Sequence, residues 1–416
     1  MPPPGPAEAP RFFAPLESLR GLAALLVVFY HAAWLNPVTA SNFIQNGALM
    51  VDFFFVLSGF VIFHSYGYKL GSPRAALRFL WLRLGRLYPL HLAFLLVFLG
   101  FELAKYLAER HFGIVADKPA FTVNGGYSFI TNLLLVHSLG LHDSLTYNYP
   151  SWSISTEFYA YVVFVAVRSL FGNDGLFTTA AILIVVGCAW LLLRVNMIPL
   201  TAAGFDWGFF RCCGGFFLGT LVYRLYAYLL MRRSRAGYRP MSRITAWFAP
   251  ASLAAMVLCL CLIDPDGRLT YLLPLLSAGV ILAIVAWPQG GLQNLLSTTP
   301  FTWLGRVSYS VYMVHAALVW IFTQILTVVL KYPKIELADG GHGVGTAPAV
   351  GLMVLAIYTV GVLVLSNFTY RWIEEPFRER SRRAAQRWFP TSGGAPRRAG
   401  QTPRGGGGLG SDTAQA

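Results

Sequence analysis

Charge is scarce in this sequence. Asp, Glu, Lys and Arg make up 12% of its 416 residues, about half the share of an ordinary soluble domain. A chain that is 56% hydrophobic cannot cover a soluble globule of this size with polar groups, which excludes that class and leaves an integral membrane protein. Cysteine is scarce too. Cys188, Cys212, Cys213, Cys259 and Cys261 all lie inside apolar runs, and none has metal-ligand spacing with a histidine. An odd number at membrane depth builds no disulfide framework, so they read as packing residues and no metal site is expected. The first fifteen residues, MPPPGPAEAPRFFAP, lack the basic stretch, apolar core and cleavage site of a signal peptide. Residues 1–11 therefore read as a short cytoplasmic tail. What charge there is leans positive, with 32 Lys and Arg against 18 Asp and Glu. It gathers in two connections and the C-terminal tail without interleaved aromatics, which suits anionic lipid headgroups and not nucleic acid.

A spanning helix needs about 20 mostly apolar residues. Ten stretches qualify, near 16–36, 47–66, 88–107, 153–171, 176–196, 207–231, 246–263, 270–287, 303–330 and 348–372. A weaker apolar piece at 127–141 reads as re-entrant or interfacial. The second-to-third connection carries Lys69, Arg74, Arg78, Arg83 and Arg86, and the sixth-to-seventh carries Arg232, Arg233, Arg235, Arg239 and Arg243. The alternate connections are poor in Lys and Arg, so both termini are expected in the cytoplasm. The expected fold class is an all-α membrane protein, about ten transmembrane helices in one bundle over 12–378. Residues 379–416 are basic and rich in Gly and Pro; they have little to bury and are expected to be a disordered cytoplasmic tail.

Titratable groups inside a span are costly and are candidates for function. In the first span, LESLRGLAALLVVFYHA, Arg20 and His31 are eleven residues apart. At about 100° per residue this returns to within about 20° of the same face, about 16 Å along the axis. One stripe then carries an anion-binding group near the cytoplasmic end and a proton-transfer group toward the outer half. Alone, Arg20 reads equally as a snorkelling anchor and His31 as a packing histidine. The second span enters from the outer side as GALMVDFFFVLSGF, with Asp52 at the depth of His31. Equal depth on consecutive helices points to a His31–Asp52 pair in which the carboxylate orients the imidazole. Otherwise Asp52 is a helix-start residue in an outer vestibule.

Five segments in order make the chain resemble the acyltransferase 3 family of integral membrane O-acyltransferases. They are Arg20-x10-His31 in SLRGLAALLVVFYHA, VDFFFVLSGF at 51–60, RLGRLYPLH at 83–91, PSWSISTEFYAY at 150–161, and LGRVSYSVYMVHA at 304–316 followed by YRWIEEPFR at 370–378. The resemblance implies a ten-helix bundle and an acyltransferase in the bacterial inner membrane. It implies a cytoplasmic acyl-CoA donor, usually acetyl-CoA, used as a substrate and not permanently bound. The acceptor is expected to be a carbohydrate hydroxyl on an exopolysaccharide, a lipopolysaccharide or another cell-envelope glycan. Arg20 and His31 carry over as the family's first-helix pair, with His31 the expected catalytic residue; Arg83 and Arg86 match its basic motif. Some members carry an appended SGNH-type esterase-like domain, which is not expected here. The SWSISTEF element has Glu157 alone where many relatives have a second acidic residue, so a role needing two carboxylates is not expected.

Acyl transfer from a thioester needs a base for the hydroxyl, stabilisation of the oxyanion and reactants held together. His31 suits the base. Arg83 and Arg86 suit the donor's phosphates through forked hydrogen bonds, or are ordinary positive-inside charge. Arg20 lies between them and His31. Trp152, Ser153 and Glu157, expected near the outer surface, combine aromatic, hydroxyl and carboxylate as sugar contacts do, or cap a helix. His315 is a site residue or a hydrogen-bonded structural one, and Arg211 lines the outer cavity or pairs with Asp206. The rival reading is a polytopic transporter or flippase, since buried Arg, Asp and His also mark transport pathways.

Overall fold

In the computed structural model, which describes residues 12–113, 118–196, 199–235, 247–336 and 342–390, the chain is almost wholly helical. The helices are α1 (Ala14–Tyr30), α2 (Asn42–Gln45), α3 (Met50–Tyr66), α4 (Pro73–Phe112), α5 (Gly126–Leu133), α6 (Trp152–Leu170) and α7 (Asp174–Trp190). They continue with α8 (Gly208–Arg235), α9 (Phe248–Leu262), α10 (Leu273–Ala286), α11 (Gly291–Leu296), α12 (Thr299–Gln324), α13 (Pro348–Thr369) and α14 (Glu375–Trp388). A small antiparallel hairpin, β1 (Lys334–Glu336) and β2 (His342–Val344), links α12 to α13.

Local chemistry sets the boundaries. Ser72 accepts the Ala75 N–H at 3.3 Å and Pro73 opens α4, while Gly113 ends it in the left-handed region at φ 63°. This is the N-cap, first-turn proline and terminal glycine pattern of a helix. At 40 residues, α4 is about 60 Å long. Asn173 likewise accepts the N–H groups of Gly175 and Leu176 at the start of α7.

Each of the ten expected spans coincides with a helix. Seven stretches are long and apolar enough to cross a membrane: Asn42–Tyr66, Pro73–Phe112, Asp174–Arg194, Gly208–Arg233, Arg268–Ala286, Thr299–Val329 and Pro348–Trp388. Of the other three, α1 and α9 are short, at 17 and 15 residues, and α6 has a polar first turn. The protein is a multi-pass integral membrane protein. Apolar side chains such as Leu183, Val186, Met353, Ile357 and Val360 are exposed along α7 and α13, as a lipid-facing surface requires.

Two expectations are corrected. The basic connection at 69–86 is not a loop: from Pro73 onward it is the first half of α4, so Arg83 and Arg86 stand on a rigid helix. Residues 379–388, assigned to the tail, belong to α14, which packs on α4 through the Trp81 N–H to the Ser381 carbonyl at 3.1 Å and the Trp81–Trp388 contact at 4.9 Å. The indole–indole contact and the small Ser381 facing Gly85 give this basic helix an apolar side to bury. The piece at 127–141 folds as the short helix α5 and an irregular return. Both are tied inward by His91 Nε2 to the Asn132 carbonyl at 2.9 Å and Tyr88 Oη to the Leu133 carbonyl at 3.0 Å. The 1–11 segment and residues 391–416 lie outside the described residues.

Helix ends alternate as the arginine distribution predicts. Phe13 before α1 meets His64 at the end of α3 edge to face, and Arg168 at the end of α6 bonds the Gly67 carbonyl and Asp174. At the opposite end, Asn46 before α3 donates to the Leu260 and Ile263 carbonyls at the end of α9. The core between them is aromatic, with Phe60, Phe63, Phe164, Phe177 and Phe216 fully buried.

Two helix crossings are so close that only glycine fits. A Cβ on Gly59 would collide with the Phe216 carbonyl where α3 meets α8, and one on Gly305 would collide with the Glu17 carbonyl where α1 meets α12. Backbone-close packing through small residues is how helices associate in lipid. Gly59→Leu is expected to separate α3 from α8 and cost about 3 kcal/mol or more. A thermal unfolding midpoint in detergent equal to that of the native protein would contradict this.

Candidate active site

Two cavities enter the bundle from opposite ends. The inner one, of about 870 Å³ counted to its open mouth, is lined by Glu17 and Arg20 of α1, Ser58 and Ile62 of α3, Arg83 and Arg86 of α4, Glu157 and Tyr161 of α6, and Ser308 and Tyr312 of α12. It lies toward the arginine-rich end. The outer one, of about 1270 Å³ on the same measure, is lined by His31, Phe101, Glu102 and Lys105, by Lys118, Asn124, Tyr147 and Tyr149, and by Trp320 and Gln324.

The arginines of the inner cavity differ in what they are free to do. Arg20 is committed: Nε donates to Ser308 Oγ at 2.8 Å, Nη2 to the Gly305 carbonyl at 2.9 Å, and both terminal nitrogens reach Glu17. It fastens α1 to α12. Arg83 lies over the Tyr66 and Phe79 rings at 5.4 and 5.8 Å, and its buried Nε has no hydrogen-bond partner among the described residues. Arg86 also makes no hydrogen bond or ion pair among the described residues. Unpaired guanidinium donors in a part-buried cavity have the chemistry that suits a phosphate group. Glu157 is occupied, accepting from Ser58 Oγ and Tyr161 Oη, both at 2.6 Å.

A thin partition separates the cavities. Tyr312 lines the inner one, with its ring 5.9 Å from Phe54 and 5.7 Å from His315. His315 Nε2 stands 3.2 Å from His31 Nδ1, and the His31 ring is 5.0 Å from Tyr149. The sequence Tyr312, His315, His31 is therefore one side chain after another from one cavity to the next. His31 caps the end of α1, and its Nδ1 is 2.9 Å from the Val27 carbonyl. A carbonyl only accepts, so Nδ1 carries the proton and Nε2 keeps the lone pair. That is the arrangement of a general base with its orienting hydrogen bond supplied by its own helix.

The expected His31–Asp52 pair does not form. Both Asp52 oxygens are taken by Arg211, at 2.9 and 2.7 Å, in an ion pair with both side chains almost fully buried. Arg211 in turn pairs with Asp52 and not with Asp206, which caps the Trp207 N–H instead. Two opposite charges at membrane depth find each other because neither has water to fall back on. The place beside His31 goes to His315. Trp152 lies under the Arg211 guanidinium at 5.3 Å and against Phe55, lining neither cavity. Ser153 and Glu157 line the inner cavity and not the outer surface. The segment before α6 dips into the bundle, with Asn148 bonding the Met313 carbonyl and Ser153 bonding Tyr312 at mid-α12, so α6 begins at depth. Sequence reasoning missed Ser58, Tyr161, Tyr312 and Tyr149. Tyr161 follows Glu157 by four residues and Tyr312 precedes His315 by three, helical spacings that signal contact; Ser58 and Tyr149 carry no such signal.

A many-helix membrane bundle with a cationic cavity at one end and a histidine pair beyond a thin partition defines a class of membrane protein with a buried polar site open toward both ends. The chain belongs to the acyltransferase 3 family, whose model, described as an acyltransferase domain, matches residues 14–371. Among named relatives, the "Putative peptidoglycan O-acetyltransferase YrhL" of Bacillus subtilis (strain 168) is 26% identical over 91% of this chain and 56% of its own length. The peptidoglycan O-acetyltransferase OatA of Listeria monocytogenes is 22% identical over 89% of this chain and 56% of its own. This chain thus spans a little over half the length of these relatives. No solved structure matches it.

Replacing Asp52 with alanine leaves Arg211 buried and uncompensated, and is expected to cost about 3–5 kcal/mol of stability. The readout is the thermal unfolding midpoint in detergent. An unchanged midpoint together with lost activity would return Asp52 to the chemistry.

Proposed function

We propose that this protein is a membrane O-acyltransferase that moves an acetyl or other short acyl group from cytoplasmic acyl-CoA to a carbohydrate hydroxyl of the cell envelope. The observation that carries the reading is the placement of His31, with a free Nε2 on the outer cavity, one partition away from the unpaired arginines of the inner cavity. The names of the relatives point the same way, toward O-acetylation of an envelope glycan.

Arg83 and Arg86 hold the donor's phosphates at the cytoplasmic end, and the pantetheine arm runs inward past Ser58 and Tyr312. The acceptor hydroxyl enters from the outer cavity and gives its proton to His31 Nε2. Its oxygen attacks the thioester carbonyl, the C–S bond breaks, and the CoA thiolate leaves toward the cytoplasm, taking up the proton from His31. His315 stabilises the imidazolium through its contact with Nδ1. The reading requires the Tyr312–His315 partition to open, so that the thioester and the hydroxyl meet.

The same partition supports a second reading, since two cavities facing opposite ends with a closed gate between them also describe a transporter. Thioester turnover separates the two. His31→Ala is expected to lower the turnover number by about 10²–10⁴-fold, while Arg83→Ala and Arg86→Ala each raise KM for acyl-CoA by about tenfold or more, the worth of a charge-assisted hydrogen bond. Thiol release from acyl-CoA by the purified protein, followed with a thiol reagent, measures both. No thiol release from folded native protein in the presence of envelope glycans would favour the transporter.

A further inference from the structure

The outer cavity holds groups that the transfer chemistry leaves unused. Glu102 of α4, 8% exposed, accepts the Phe121 N–H at 2.9 Å and the Asn124 amide at 2.8 Å, with the Lys105 ammonium at 3.4 Å. Glu109 takes the Ala120 N–H, and Asn124 accepts the N–H of Tyr147. Two carboxylates on one helix thus clamp the rim of the cavity to α4. Within this clamp, Phe121 and Tyr147 sit in the left-handed backbone region at φ 62° and 50°. That conformation is costly for residues with side chains, and it persists where surrounding bonds over-determine it, commonly at binding sites.

The cavity bounded by this rim, α4 and α12 presents charge and an aromatic plane. Lys118 lines the cavity and has no hydrogen-bond or ion-pair partner among the described residues. Lys105 lines it too, and shares Glu102 with two other donors. The Trp320 indole, part-buried on the cavity wall, is stacked on Phe101 at 4.3 Å and 11°. A broad aromatic surface of this kind suits the apolar face of a sugar ring. The last residue of α12, Gln324, lines the same cavity just before a π-helical turn over Ile325–Val329, a distortion frequent at functional sites.

We infer that the outer cavity is an acceptor subsite that selects a glycan unit bearing an anionic group, a carboxylate or a phosphate, with its ring on Trp320 and its charge at Lys118 and Lys105. This rests on the transfer reading above and adds the acceptor's chemical class. The uncompensated Lys118 ammonium also draws an anionic chain toward the cavity from solution.

Binding and turnover are measured on the same full-length protein in nanodiscs. The probes are a uronic-acid oligosaccharide, its carboxyl-reduced neutral counterpart, and a phosphorylated oligosaccharide of equal length. The acidic probes are expected to bind about tenfold more tightly than the neutral one, a preference that shrinks as salt rises. Lys118→Glu should abolish most of that preference while neutral binding stays unchanged. Trp320→Ala should weaken all three probes, with partial recovery in Trp320→Phe. Equal binding of acidic and neutral probes, or an acidic preference that survives the Lys105→Gln/Lys118→Glu double variant, would overturn the inference. Thiol release from acyl-CoA reports the transfer reading separately: anionic selectivity without turnover would sink that reading alone, and turnover without selectivity would sink the subsite alone.

Discussion

The contact between α1 and α12 governs the candidate site. It brings the backbones together at Gly21 and Gly305, where no side chain fits. From that one crossing the rest follows by helical geometry. Below it, Arg20 reaches Ser308 and the Gly305 carbonyl; above it, His31 meets His315. Arg20, Ser308 and Gly305 on one side and His31 and His315 on the other are thereby held in register without a direct bond between the cationic end and the histidines. A shift of α12 by one residue would turn His315 by about 100° and leave His31 without its neighbour.

The partition deserves comparison with the ion pair behind it. Asp52 and Arg211 pair through both carboxylate oxygens, and such a pair resists rearrangement because separating it strands two charges in a medium without water. The Tyr312–His315–His31 wall is made of aromatic contacts, with ring centroids 5.0–5.7 Å apart, and of neutral hydrogen bonds at 2.8–3.2 Å. Aromatic side chains can rotate away from one another at far smaller cost than buried charges can part. The arrangement therefore sets a charge-paired frame on the α3–α8 side against an aromatic wall on the α12 side.

Much of this was legible in the residues. The ten helices, the alternation of their ends and the Arg20–His31 stripe depend on hydropathy, charge counting and a 3.6-residue period, all of which are local properties. The error over 69–86 shows where hydropathy stops: the segment is too basic to look like a span, yet it continues the same helix, because helical propensity and a Ser-Pro start do not require an apolar window. The misplacement of Glu157 has a similar origin. Distance along the chain gives depth only where the chain runs straight, whereas the chain before α6 folds back into the bundle and starts that helix below the surface.

Side-chain partners were the part that no pattern could supply. Asp52 and His31 have equal depth on consecutive helices, and equal depth leaves rotation about each helix axis undetermined. The packing of α8 against α3 decided it, delivering Arg211 to Asp52, while α12 delivered His315 to His31. Composition and periodicity set the class, the spans and the residues able to do chemistry, because these follow from each segment's own preference for lipid or water. Which of those residues meet, which cavity each one lines and which arginines remain unpaired were decided by helix rotation and crossing, and those depend on contacts between segments far apart in the chain.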